Sequence, residues 1–250
     1  MTDAYRIVRE LHEAAVHAGT ADTLAQFENI GTQSQYRLPY AVTARCIAPG
    51  AAVLDWGCGN GHFSFFLERL GATVTGYSFE PAPRCMAHSA TFSHVRGSES
   101  DPRRIPFPDR SFDAVCSVGV LEHVWETGGE ERVSLSEIAR ILRPGGVFLT
   151  FHLPNESGWV ERAVRALGLN KYSHMRRYTA ADIRALWTGA GLKIEKLGRY
   201  NALPRHDLGF LPSKVRHSSV FVRSYNAADD ALARLAPPVC TNFFVVARKS

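Results

Sequence analysis

The stretch VLDWGCGNGHF, residues 53 to 63, places a short apolar run, an acid and three glycines one after another. A run of that length reads as a strand buried on both faces. The glycines permit positive φ and a close approach of other groups to the backbone, and the helical pattern that follows aims free N–H groups at the turn. The stretch is therefore read as the crossing from a first strand to a first helix.

Working outward, short apolar runs alternate with helical patterns. Strand AAVLDW (51–56) leads to helix GHFSFFLERL (61–70), strand ATVTGY (72–77), a short helix around 82–90 and strand FDAVCSV (112–118). Helix SLSEIARILR (134–143), a turn at RPGG and strand VFLTFHL (147–153) follow. A further helix, TAADIRALWTGAGL (179–192), opens with Thr179 as N-cap and Asp182 in capping-box position, and closes at Gly189 or Gly191. Strand KIEKLGRY (193–200) and a final strand NFFVVARKS (242–250) end the chain. This alternation predicts an α/β fold, a mostly parallel sheet with helices on both faces, whose ligand lies beyond the carboxyl ends of the strands. Residues 1–49 carry helical spacing up to the Pro49-Gly50 break and are expected to form a helical cap on the domain 50–250. The forty residues 201–240 read as a lid-like insertion before the last strand, or as a disordered loop.

Composition narrows the class. With 250 residues and 45 % apolar content the chain can bury a full core without disulfides or metals. Its five cysteines are scattered with no C-x-x-C pair, which predicts reduced thiols and a cytoplasmic location. The N-terminus has no apolar signal region, and no run is long enough to span a membrane. The net charge of +5 is uneven: residues 1–150 carry −4 and residues 151–250 carry +9. The first lysine is Lys171, so a phosphate-binding G-K-[ST] loop is absent. The basic C-terminal part favours an anionic partner and leaves contact with an acidic membrane surface open.

The glycine turn separates two cofactor classes. A dinucleotide prefers G-x-G-x-x-G, but counting from Gly57 or Gly59 puts the last position on His62 or Ser64. Asp55 would also stand beside the incoming phosphates, where like charges at about 4 Å repel by roughly 4 kcal/mol at an effective dielectric near 20. The same carboxylate suits S-adenosylmethionine, which carries an ammonium, a sulfonium and no phosphate.

At this point the sequence resembles the class I S-adenosylmethionine-dependent methyltransferases, in particular the small-molecule group of ubiquinone and menaquinone biosynthesis. Four stretches carry the likeness in order: VLDWGCGNG (53–61), VTGYSFEP (74–81), IPFPDRSFDAVCSVGVLEHV (105–124) and EIARILRPGGVFLTFHLP (137–154). The resemblance implies a Rossmann-like sheet of seven strands. It also implies that Asp55, Gly57, Cys58, Gly59, Asn60 and Gly61 hold the methionine end of the cofactor, with Ser117 and Val118 near its sulfonium or adenine. The family's ribose-binding acid is replaced by Ser78, which leaves Glu80 as a substitute. Asp101 aligns with the adenine-binding acid, but Pro102 after it lacks an N–H.

Methyl transfer requires an aligned acceptor and, for a hydroxyl or ammonium, a base. His123 in LEHV and His152 after the fifth strand are the candidate bases, weighed against capping or core roles. Related O-methyltransferases add a metal through E-x-x-E-H; here Gly119 takes the first acid's place, two ligands remain, and no metal is expected. The run YSHMRRYT gathers Tyr172, His174, Arg176, Arg177 and Tyr178, which can grip a phosphate or carboxylate, or form a plain solvated loop. Arg205, His206, Lys214, Arg216 and His217 repeat the basic theme. Tyr36 and Arg37 are candidates to close over the cofactor, with surface placement as the alternative.

The expected activity is methylation of a small or carrier-linked, anionic acceptor, at oxygen. RNA or protein methylation is the second reading; no nucleic-acid partner is expected, since no aromatic-basic stripe is present. A non-catalytic cofactor-binding protein is the third. Acceptor and oligomeric state are not legible in the sequence.

Overall fold

The computed structural model describes residues 10–11, 13, 15–16, 19, 24, 30–87, 89–98, 100–168, 174–205 and 211–250. Seven strands form one sheet in the order β3-β2-β1-β4-β5-β7-β6. They are β1 (Ala52–Trp56), β2 (Thr73–Ser78), β3 (Phe92–Arg96), β4 (Phe112–Val118), β5 (Leu142–Pro154), β6 (Leu192–Tyr200) and β7 (Asn242–Lys249). Pairing is parallel from β3 through to β5, and β7 runs antiparallel to both β5 and β6. The chain order reverses between β1 and β4, which opens the crevice where such sheets bind ligands.

Helices cover both faces: α1 (Arg37–Cys46), α2 (His62–Arg69), α3 (Glu131–Ile141), α4 (Trp159–Ala166), α5 (Ala180–Gly189) and α6 (Ser219–Leu235). Strand β1 shows why. Val53 enters one core with Tyr40, Phe63, Phe66 and Phe151, whereas Leu54 and Trp56 enter the other with Leu135, Ile138 and Trp187. A strand buried on both sides favours apolar residues on both faces, hence the run up to Leu54, with the buried Asp55 as its exception. Each fully buried Leu, Phe or Val contributes about 1.5–3 kcal/mol relative to exposure.

Local signals mostly translate as read. Thr179 and Asp182 form a reciprocal capping box at the start of α5. Three segments differ from the sequence reading. Strand β3 was not legible because FSHVR is polar and only partly buried, pairing with β2 alone at the sheet edge. Around 82–90 only a 3-10 turn, Arg84–Met86, forms after Pro83. The RPGG turn is a bulge inside β5: Phe112 pairs with Leu142 and Ala114 with Val147, so the residues between are looped out, with Gly145 at φ 74°.

In the 201–240 segment α6 is the main element, and ion pairs clamp it to the segment before β1. Arg37 binds Asp230 through two bonds of 2.8 and 2.6 Å. Arg205, buried, donates to Asp229, Asn226 and Ser34, each at 2.6 Å. Among the described residues no helix is long and apolar enough to cross a membrane.

Candidate functional site

The turn after β1 is built from backbone. Gly57, Gly59 and Gly61 all have positive φ, at 76°, 45° and 81°. A Cβ at Gly57 would overlap the Val120 side chain, and one at Gly61 would come within 2.8 Å of Pro83 and 2.9 Å of Met86. At Gly59 the nearest atom would be the Gly57 carbonyl oxygen at 3.9 Å, so this one glycine faces open space. The turn is thus packed on two sides and open on the third, with α2 starting at its far end. Gly57 N–H donates to the Tyr77 carbonyl at 2.8 Å, and the Cys85 thiol donates to the Asn60 carbonyl at 2.9 Å. Cys58 is buried, and burial pushes its thiol up to about 12, which makes it a packing residue rather than a nucleophile.

Asp55 is 1 % exposed and accepts a 2.6 Å hydrogen bond from the Ser64 hydroxyl of α2. Burial raises its carboxyl to about 6, with the Ser64 bonds opposing the rise. It is ionised at neutral pH. Sequence reading missed Ser64; its signal was the nine-residue spacing from the acid, one turn into the helix.

At the end of β2, Ser78 donates to the Glu80 carbonyl at 3.1 Å and lies 3.1 Å from His94 Nε2. Glu80 is exposed beside it. Asp101 is exposed and Pro102 half-buried, and the Asp101 N–H donates to the Ser98 carbonyl at 3.1 Å.

The end of β4 collects buried polar atoms. Ser117 Oγ and Glu122 Oε2 are both buried with no hydrogen-bond partner among the described residues. Val118 is half-buried and packs against the first core. Gly119, with φ 69°, lies between the two candidate arms: a Cβ there would sit 3.6 Å from Glu122 Oε1 and 3.9 Å from His152 Cβ. Glu122 is 2 % exposed, and burial raises its carboxyl to about 7.

The two histidines have different surroundings. His123 has a side chain 47 % exposed, with Nδ1 2.9 Å from Glu126 Oε1. His152 sits where β5 and β7 shift register and has φ 61°, a left-handed conformation that the surroundings must hold in place. Its N–H donates to the Tyr200 hydroxyl at 2.9 Å, and its ring stacks on Tyr36 at 5.2 Å. Tyr36 is buried rather than on the surface, and His62 packs against it at 4.5 Å. Burial, followed by the His152 charge, lowers His62 to about 3, so it stays neutral.

The 172–179 run is held by carboxylates. Arg176 makes bonds of 2.7 and 3.0 Å to Glu131, which also accepts from the Tyr178 hydroxyl at 2.7 Å. Arg177 donates to the His174 carbonyl. His174 Nδ1 is 2.7 Å from Glu161, a bond that raises its pKa. Tyr172 and His206 lie outside the described residues. Arg205 turns inward to Asp229, while Lys214 and His217 are exposed. The cations expected to be free at 176 and 205 are therefore engaged within the protein. Sequence reading missed Glu131 and Glu161, since nothing local marks partners 45 and 13 residues away.

The fold also adds a donor to Glu122 and His123. One ligand atom from each of Glu122, His123 and His174 lies within 4.8 Å of the others. The sequence count of two metal donors thus becomes three, a set that can coordinate a divalent ion with one position open.

Residues 54–150 match a family of methyltransferase domains. The chain is 30 % identical over 177 residues, 70 % of its length, to a protein of Mycolicibacterium smegmatis named as a probable S-adenosylmethionine-dependent methyltransferase, and spans 63 % of that relative. It is 26 % identical to the ubiquinone biosynthesis O-methyltransferase of Agrobacterium fabrum, covering 80 % of this chain and 73 % of the other. Among solved structures, an S-adenosylmethionine-dependent methyltransferase from Mesorhizobium loti shares the fold with a TM-score of 0.55 at 16 % identity, over 84 % of this chain and 96 % of that one.

Proposed function

We propose that the chain, which matches a family of methyltransferase domains over residues 54–150 and is 30 % identical to a probable S-adenosylmethionine-dependent methyltransferase, transfers a methyl group from S-adenosylmethionine to a small or carrier-linked, anionic acceptor, at oxygen. The observation that carries the reading is the 57–61 turn: three glycines at positive φ, open at Gly59, with the ionised Asp55 behind it. When bound, S-adenosylmethionine supplies a methyl group on a positively charged sulfur. Asp55, Gly57, Cys58, Gly59, Asn60 and Gly61 would hold its methionine end, Glu80 its ribose, and Asp101 its adenine. The Ser117 hydroxyl, without a partner among the described residues, offers a hydrogen bond at the same crevice, next to Val118.

Two side chains are positioned to take the acceptor's proton. His152 is held at the end of β5 by Tyr200 and Tyr36, and His123 stands at the outer rim with its Nδ1 tied to Glu126. A base with a pKa near the working pH serves best, which suits an imidazole. Oxygen as the acceptor atom is supported by the relative named an O-methyltransferase. The anionic acceptor is supported by the +9 charge of residues 151–250.

Calorimetry with S-adenosylmethionine and its demethylated product, S-adenosylhomocysteine, tests the reading. One-to-one heat that disappears in Gly59→Val is expected, because a side chain there fills the space the turn leaves open at Gly59. No heat with either compound would remove the enzyme reading and favour a non-catalytic protein, for which the engaged Ser78 hydroxyl speaks. The base is assigned by pH–rate profiles of His152→Gln and His123→Gln once an acceptor is found with labelled cofactor.

A further inference from the structure

Several arginines in this chain end on carboxylates, among them Arg37 on Asp230, Arg140 on Glu137, Arg176 on Glu131 and Arg205 on Asp229. Arg162, Arg165 and Arg199 do not. Among the described residues no carboxylate pairs with them, yet all three line one cavity of about 310 Å³. Glu156 is the single acid on that lining, and it is exposed. The lining is therefore cationic by two charges.

The three come together for separable reasons. Arg162 and Arg165 are three apart on α4 and so project from one side of it. The helix is anchored through Glu161, which binds His174. Arg199 is the penultimate residue of β6, and its guanidinium lies 4.5 Å over the Phe243 ring, which fixes the fork in place. Its Nε is buried without a hydrogen-bond partner among the described residues. Thr179 and Ala180, the N-cap and first residue of the ten-residue α5, complete the wall with Asn155 and Ser157. That end of α5 is closed by the Asp182 carboxylate of the capping box, so the positive charge of the cavity comes from the arginines. Because β5 and β6 both lie antiparallel to β7, Asn155 just past β5 and Arg199 near the end of β6 stand at the same edge of the sheet as the glycine turn.

We propose that this cavity is an anion subsite that takes a phosphate group of the acceptor. Three unpaired guanidinium forks suit a tetrahedral dianion better than a single carboxylate, which one fork satisfies. The assignment of the phosphate to an acceptor rests on the methyltransferase reading; binding of the anion does not.

The test is titration of the full chain with inorganic phosphate at low ionic strength, followed by calorimetry and by NMR shifts, with acetate in parallel. Saturable binding is expected, tighter for phosphate than for acetate, and weakened about tenfold or more in R162Q/R165Q/R199Q. The lysine triple variant, which keeps the charges and loses the forks, should fall between. R162Q/R165Q alone, two exposed positions whose loss leaves the core intact, should already weaken binding. Vesicles of phosphatidic acid against phosphatidylcholine separate the two sources. Sedimentation with the former that free phosphate reverses assigns a lipid headgroup, whereas phosphate binding without sedimentation assigns a soluble or carrier phosphate. Absence of saturation, or equal affinity in R162Q/R165Q, overturns the subsite. Heat with S-adenosylhomocysteine on the same sample keeps the two readings apart, since its loss counts against the methyltransferase and its persistence without phosphate binding counts only against the subsite.

Discussion

The turn after β1 and the basic region beyond β5 hold their groups in opposite ways. At the turn, position is set by backbone: Gly57 and Gly61 are pressed against Val120, Pro83 and Met86, and the one charge, Asp55, is buried against a helix hydroxyl. Beyond β5, position is set by charged side chains, with Glu131 and Asp229 each fixing an arginine and Glu161 holding His174. A side chain added to the first region has nowhere to go, whereas a charge removed from the second leaves a partner stranded. The first should therefore fail by sterics at any pH and salt, and the second by electrostatics.

The largest effect is expected where a pair is most deeply buried. Arg205→Ala leaves Asp229 uncompensated in the interior and should cost about 3–5 kcal/mol, read by urea denaturation. The double variant R205M/D229L should recover most of it, and equal losses in single and double variants would break the contrast. Gly57→Ala comes next, at about 3 kcal/mol, because overpacking adds to a left-handed backbone. Binding of S-adenosylhomocysteine should disappear with it, and 1 M salt should leave the stability loss unchanged.

Asp55 sharpens the comparison through pH. Its folded value of about 6 lies above its unfolded value near 3.9, so the contribution of its neutral form is complete below about pH 4 and lost as pH rises through 6. Asp55→Asn does not titrate there. Its stability relative to the parent should rise between pH 4 and 7 by up to about 3 kcal/mol and then level off. Affinity for S-adenosylmethionine should fall below pH 6 in the parent and stay flat in the variant. Smaller still, Thr179→Ala removes the capping box of α5 and should cost about 1 kcal/mol. Arg162→Gln and Arg165→Gln, with no carboxylate to lose, should stay within about 0.5 kcal/mol of the parent in stability.

What was legible before the structure follows the same division. The capping box, the glycine turn and the doubly buried strands could be read because each depends on residues within a few positions of one another. Strand β3 escaped because an edge strand with little burial carries little apolar pattern. The engagement of Arg176 was not legible because its partner Glu131 becomes a neighbour only when α3 and the loop before α5 converge, whereas Arg177 bonds the His174 carbonyl three residues back.

The sequence by itself determined the α/β alternation and the turn behind Asp55, since strand periodicity and positive φ are local properties of the chain. Which cations remain unpaired, that His174 joins Glu122 and His123, and that Tyr36 stacks on His152 were decided by tertiary structure alone. Charge pairing depends on distance in space, and a linear chain does not encode which of its distant carboxylates will reach a given guanidinium until the sheet has set its strand order.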